Sequence, residues 1–108
     1  MPSLSSNRTR PSKVILEGLS AVPATLTAFS TATSVIYQIS VSNTTAGSLT
    51  FLVEDNQTSA QALVPTISIP ANTNIIMSWP EGVKMLGGIN WQASSTGLTA
   101  EIYGMVQT

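Results

Sequence analysis

Nine charged side chains are all that this chain of 108 residues offers for ionic chemistry, and it contains neither histidine nor cysteine. General acid–base catalysis at neutral pH draws on histidine, or on a carboxylate whose pKa is moved by a partner. Transition-metal sites draw on histidine or cysteine ligands. Glu54-Asp55 is the one adjacent carboxylate pair. With Asn56 it could turn oxygens toward a calcium ion. No alternation of Asp and Asn surrounds it, so a solvated hairpin end is expected instead. Glu81 and Glu101 could supply the two carboxylates of a glycosidase, but nothing in the sequence brings them together, and no aromatic-rich cleft pattern accompanies them. Serine and threonine make up 29 residues. None of the serines sits in a Gly-x-Ser-x-Gly elbow, and no base is available to activate one. Gly87-Gly88 lacks the context of a phosphate loop and is expected to form a tight turn. The expectation is a protein that binds or builds: no enzyme, no cofactor, no metal.

Composition supports that direction. Hydrophobic residues are 43% of the chain and charged residues 8%, against roughly 25% charged in an average soluble protein. A free monomer with so few charges is poorly protected against association. Its surface is either solvated by Ser and Thr or covered by other subunits. A net charge of −1 gives no electrostatic case for nucleic acid. No apolar run approaches the length of a membrane helix, and no apolar stretch of signal-peptide length follows Arg8, Arg10 and Lys13. Synthesis in a cytoplasm is expected. Asn7-Arg8-Thr9, Asn43-Thr44-Thr45 and Asn56-Gln57-Thr58 match the glycosylation pattern, as chance allows in a chain so rich in Asn and Thr.

The elements that would hold these residues are strands. Ser34–Ser42 alternates most clearly, with Val35, Tyr37, Ile39 and Val41 on one face and Gln38, Ser40 and Ser42 on the other. Leu49, Phe51 and Val53 form the core face of the next strand, which is expected to pair with Ser34–Ser42 as a hairpin across Asn43–Ser48. Glu54–Ala62 reads as a polar loop. Leu63–Ile69 contains Pro65, a mark of an edge or a bulge. Ile75–Trp79 is a strand that Pro80-Glu81-Gly82 stops. Val83–Leu86 is short, and Ile89, Trp91 and Ala93 alternate with polar neighbours. In Leu98–Val106, Ala100, Ile102, Gly104 and Val106 face one way and Glu101, Tyr103 and Met105 the other. Val14–Leu16 and Ala24–Phe29 are weaker candidates. About eight short antiparallel strands at roughly 10–12-residue spacing predict an all-β fold, a single sandwich. The expected core includes Val35, Tyr37, Ile39, Val41, Leu49, Phe51, Val53, Ile89, Trp91 and Ile102.

Two surfaces are candidates for contact with other molecules. Residues 1–13 form a segment with two prolines and three of the four basic residues, Arg8, Arg10 and Lys13. It is expected to be a flexible arm preceding a β-domain of residues 14–108. It is either a frayed end or an arm that orders on a neighbouring subunit. Tyr103 and Met105 lie opposite the aliphatic face of the last strand and are the best candidates for a subunit contact. Trp79 and Trp91 alternate with aliphatic residues and read as core, with an interface anchor as the other possibility.

The stretch from Val35 to Gly104 resembles small β-sandwich virion proteins of tailed bacteriophages. Tyr37-Gln38-Ile39-Ser40-Val41-Ser42-Asn43-Thr44-Thr45, Ile69-Pro70-Ala71-Asn72-Thr73 and Gly82-Val83-Lys84 carry the likeness, with Gly87-Gly88-Ile89-Asn90-Trp91 and Ala100-Glu101-Ile102-Tyr103-Gly104. These are turn and strand signatures over about two-thirds of the chain. The resemblance implies a jelly-roll-like fold, a homo-oligomer (dimer or trimer) and attachment to the major capsid protein or other virion proteins. Within that class the expected role is a decoration protein that binds the capsid exterior and cements the coat lattice; the turn and strand signatures do not by themselves separate it from a neck, tail or fibre component. A neck or tail adaptor, a fibre component and a receptor- or carbohydrate-binding module are the alternatives.

Overall fold

The structure, a computed structural model, describes residues 12–16, 20–57 and 61–107. The described residues are all-β, with nine strands: β1 (Ser12–Leu16), β2 (Ser20–Ala21), β3 (Thr27–Ser30), β4 (Ser34–Asn43), β5 (Leu49–Asp55), β6 (Ala62–Ile69), β7 (Thr73–Met85), β8 (Ile89–Ala93) and β9 (Leu98–Gln107). They form two antiparallel sheets. One runs β1-β9-β4-β7, with β2 also paired to β9; the other runs β3-β8-β5-β6.

That order has a simple origin. With the two-residue β2 set aside, the pairs are β1 with β9, β3 with β8, β4 with β7 and β5 with β6. The chain is one long hairpin rolled up, so that successive pairs fall in alternate sheets. This is jelly-roll winding. Among these eight strands only β5 and β6 are neighbours both in sequence and in a sheet. The hairpin expected between Ser34–Ser42 and Leu49–Val53 is therefore not formed: β4 and β5 lie in different sheets, and residues 44–48 carry the chain from one to the other. Asn43, buried at the end of β4, fixes this corner. Its Nδ2 donates to the carbonyls of Gly47 (2.8 Å) and Ile69 (2.9 Å), and its Oδ1 accepts from the Thr45 N–H (2.9 Å) and hydroxyl (2.6 Å). A buried amide with every strong bond made is stable where it is. Its side chain is no glycosylation acceptor in this fold.

The inner faces of the two sheets make one core. Ile36, Ile39, Val41, Leu98, Ala100 and Ile102 come from the first sheet, and Phe51, Val53, Ile69, Ile89 and Trp91 from the second. Each large side chain buried there contributes about 1.5–3 kcal/mol of transfer free energy. Phe29 on β3 covers Trp91 edge-on, with ring centroids 4.7 Å apart.

Several boundaries differ from the expected ones. β1 begins at Ser12, so Lys13, expected in the arm, stands opposite Val106 on β9. Residues 1–11 lie outside the described residues. β5 runs on to Asp55 and β6 starts at Ala62, which shortens the polar loop. Pro80-Glu81-Gly82 does not end a strand: β7 runs through it, 13 residues from Thr73 to Met85. β4 and β9 have ten residues each, so these strands are not short.

Candidate interaction surface

The main departure from period-2 reading is within β4. Val35 and Tyr37, expected in the core with Ile39, are only half-buried, whereas Ile36 and Ile39 are wholly buried. Pairing explains the shift. On β9, Gly104 and Tyr103 are consecutive, yet they stand opposite Ile36 and Gln38. Tyr37 is thus an extra residue, a β-bulge, and a one-residue insertion exchanges the two faces of everything before it. On the other side of β4 the mismatch is larger. Ile36 faces Val83 and Gln38 faces Ser78, so residues 79–82 oppose Tyr37 alone. Trp79-Pro80-Glu81-Gly82 is a suitable sequence for such a loop-out. Pro80 lacks the N–H a ladder requires, and Gly82 has φ 81°, a region that favours glycine.

A second glycine makes the bulge possible. A Cβ on Gly104 would lie 2.2 Å from the Val35 carbonyl oxygen. Only a residue without a side chain admits that close approach of backbone to backbone.

The outcome is an aromatic pair on the outer face of the first sheet. Tyr37 and Tyr103 have ring centroids 6.3 Å apart and planes tilted by 52°. Tyr103 is 47% exposed. Met105 lies opposite Val35 in the register, and both are half-buried. Gly82 closes the other side: a Cβ there would meet Val35 Cγ1 at 2.6 Å and Tyr37 Cε1 at 2.9 Å. A hollow of about 330 Å³ adjoins it, lined by Trp79, Pro80, Glu81, Gly82 and Val83. Three formal charges rim this region. Glu101 precedes Tyr103 by two residues on the same face of β9, Glu81 stands in the bulge next to Gly82, and Lys84 faces Val35 across the β4–β7 ladder.

Tyr103 and Met105 therefore sit where the sequence places them, on the outward face, and Tyr37 and Val35 join them. The signals for that addition are present in the chain: an apolar doublet Val35-Ile36, a proline in a strand at 80, and a glycine in a strand at 104. Arg8 and Arg10 lie outside the described residues. Trp91 is buried in the core, and Trp79 packs partly against it.

The remaining polar clusters are architectural. Asp55, expected at a solvated hairpin end, is 5% exposed. Its carboxylate accepts from the backbone N–H groups of Leu86 (3.2 Å) and Gly87 (2.9 Å) and from Gln57 Nε2. It pins the Leu86–Gly88 turn between β7 and β8 to the end of β5. A shallow hollow of about 270 Å³ at one end of the first sheet is lined by Ser42, Asn43, Thr44, Asn72, Thr73 and Asn74. It has no aromatic ring on which a sugar could stack. Among the described residues no three His, Cys, Asp or Glu side chains gather to hold a metal, and no helix is long and apolar enough to cross a membrane.

No family model matches the chain, and no curated protein matches it by sequence. Among solved structures, the coat protein dimer of Tobacco streak virus is similar to it, at 13% identity and a TM-score of 0.42, covering 94% of this chain and 89% of that one. A likeness so loose carries no functional weight; the jelly-roll winding rests on the strand order itself.

Proposed function

We propose that this protein is a structural virion component that binds the exterior of a coat lattice as a symmetric homo-oligomer and cements it. The observation that carries this reading is the Tyr37–Tyr103 pair, one ring half-buried and the other exposed, on the outer face of a charge-poor jelly roll. Tyrosine is enriched among the residues that dominate binding energy, and the fold leaves this pair accessible. Jelly rolls also serve as lectin and cupin domains. The absence of histidine disfavours a cupin metal site, and the polar hollow by Asn72–Asn74 lacks a stacking surface for sugar. Fold analogy selects among these only by association. The resemblance of the strand and turn signatures to tailed-phage virion proteins favours the coat over a sugar.

The mechanism is passive. A subunit that binds only the assembled lattice stabilises it by mass action, and copies linked in an oligomer multiply modest contacts through effective concentration. The partner is the major capsid protein or another virion protein, and the site of action is the virion. The test is cosedimentation of purified protein with coat shells that lack it. Full-length protein is expected in the pellet at saturable stoichiometry, and a chain lacking residues 2–11 is expected to bind at least about tenfold more weakly. Absence of full-length protein from the pellet at all concentrations refutes the reading.

A further inference from the structure

The aromatic pair has an occupant that the chain itself supplies. We propose that Arg8 and Arg10 of a second copy dock on Tyr37 and Tyr103, so that the arm of each subunit joins it to a neighbour. This deepens the self-association part of the preceding reading and needs no coat protein.

Three observations point there. The first is charge. Residues 1–11 carry two arginines and no carboxylate, whereas residues 12–108 carry two lysines against five carboxylates, a net of −3. Glu101 lies two residues from Tyr103 on the same face of β9, Glu81 lies in the segment opposite Tyr37, and Lys84 is paired with Val35, so the strands around the two π faces carry one net negative charge. Arginine is the cation that most often stacks on aromatic rings, and it also pairs with carboxylates.

The second is spacing. Residues i and i+2 of an extended segment point the same way about 6.6 Å apart. An arm bound in extended form would present Arg8 and Arg10 in this relation, and the two ring centroids are 6.3 Å apart. Each guanidinium meets one ring.

The third is direction. Leu16 stands opposite Tyr103 and Ser12 opposite Gln107. Followed toward the N-terminus, β1 moves away from Tyr103 by four residues, roughly 13 Å. Ser12, where the arm joins the sheet, is thus set apart from the aromatic pair of its own subunit, which favours delivery to the pair of another.

The test uses the full-length chain. Sedimentation equilibrium at low salt is expected to show self-association that weakens as salt is raised. Arg8→Gln with Arg10→Gln is expected to weaken it about tenfold, the change expected of two exposed cation–π contacts. Tyr103→Ser is expected to give a comparable loss, and adding it to the arginine variant little more, because the two changes remove one contact. Since the chain has no cysteine, single cysteines locate the arm. Gln38 is exposed and in register with Tyr103. A Ser6→Cys copy, whose thiol shares the face of Arg8 and Arg10 in an extended arm, mixed with a Gln38→Cys copy is expected to form a disulfide-linked heterodimer. The inference is overturned by protein that stays monomeric, by association indifferent to the arginine variant, or by a Ser6→Cys/Gln38→Cys double variant that closes only within one chain. Those failures are distinct from failure of the virion reading, which is read only in the pellet of coat shells.

Discussion

Asp55 gives the sharpest test of how the polar framework holds this sandwich together. Asp55→Ala removes an acceptor that two backbone N–H groups and the Gln57 side chain share. A hydrogen bond to a charged group is worth about 1.5–3 kcal/mol. The side chain is almost fully buried, so solvent screens these bonds little. Leu86 is itself exposed and its N–H can turn to water, whereas Gly87 has no such freedom. A Cβ on Gly87 would lie 1.9 Å from the Asn56 carbonyl oxygen, so the turn is already seated on β5 and cannot close further to find another acceptor. Counting the Gly87 bond in full and the other two in part gives a loss of about 3 kcal/mol. For a domain of this size that lowers Tm by roughly 10–20 °C. Asp55→Asn keeps one acceptor oxygen but turns an N–H₂ toward donors, and about half the loss is expected. Urea unfolding followed by fluorescence of Trp91 and Trp79 reads both variants. A loss below about 1 kcal/mol for Asp55→Ala would refute the reasoning. So would a fall in stability of the unmodified protein on adding a chelator, which would mean that the carboxylate holds a cation and not the turn.

Two further stability changes separate core from surface on β4. Ile39→Ala should cost about 2–5 kcal/mol because Ile39 is fully buried between the sheets, whereas Tyr37→Ala, on the outer face, should cost clearly less in the same denaturation assay; equal losses would contradict the bulge. Gly104→Ala should cost about 1–3 kcal/mol, since its new methyl group meets backbone and not a mobile side chain, and should shift the amide resonances of Val35 and Tyr37. An unchanged spectrum would show that β4 and β9 are not as close there as the structure has them.

The all-β class, the positions of most strands and most of the core were legible in the sequence because each depends on local alternation. Leu98–Val106 shows this well: Ala100, Ile102 and Gly104 are buried, and Tyr103 is exposed, as period 2 requires. Pairing was less legible. Asn43–Ser48 has the composition of a hairpin turn, and nothing local distinguishes a turn that folds a strand back in its own sheet from one that crosses to the opposite sheet. The difference lies in Ile69, 26 residues away, whose carbonyl takes the Asn43 amide. Asp55 was misread for a similar reason. Its partners at 86 and 87 are reached only once β7 and β8 are in place.

The bulge joins these two limits. Alternation assigned Tyr37 to the core because it follows Val35 and precedes Ile39 and Val41 at even spacing. Burying it there would also have buried its hydroxyl, which needs a partner in an apolar interior. The structure inserts one residue, keeps Ile36 and Ile39 inside, and turns Tyr37 out beside Tyr103. Holding that insertion requires relief on both neighbouring strands. β9 supplies it with Gly104, and β7 with Pro80 and Gly82, so residues far apart in sequence serve a single distortion. Bulges tend to occur where a side chain is re-aimed for use. Here the re-aimed side chain is the half-buried member of the outer-face aromatic pair, which ties the local irregularity of the fold to the surface through which the protein is proposed to assemble.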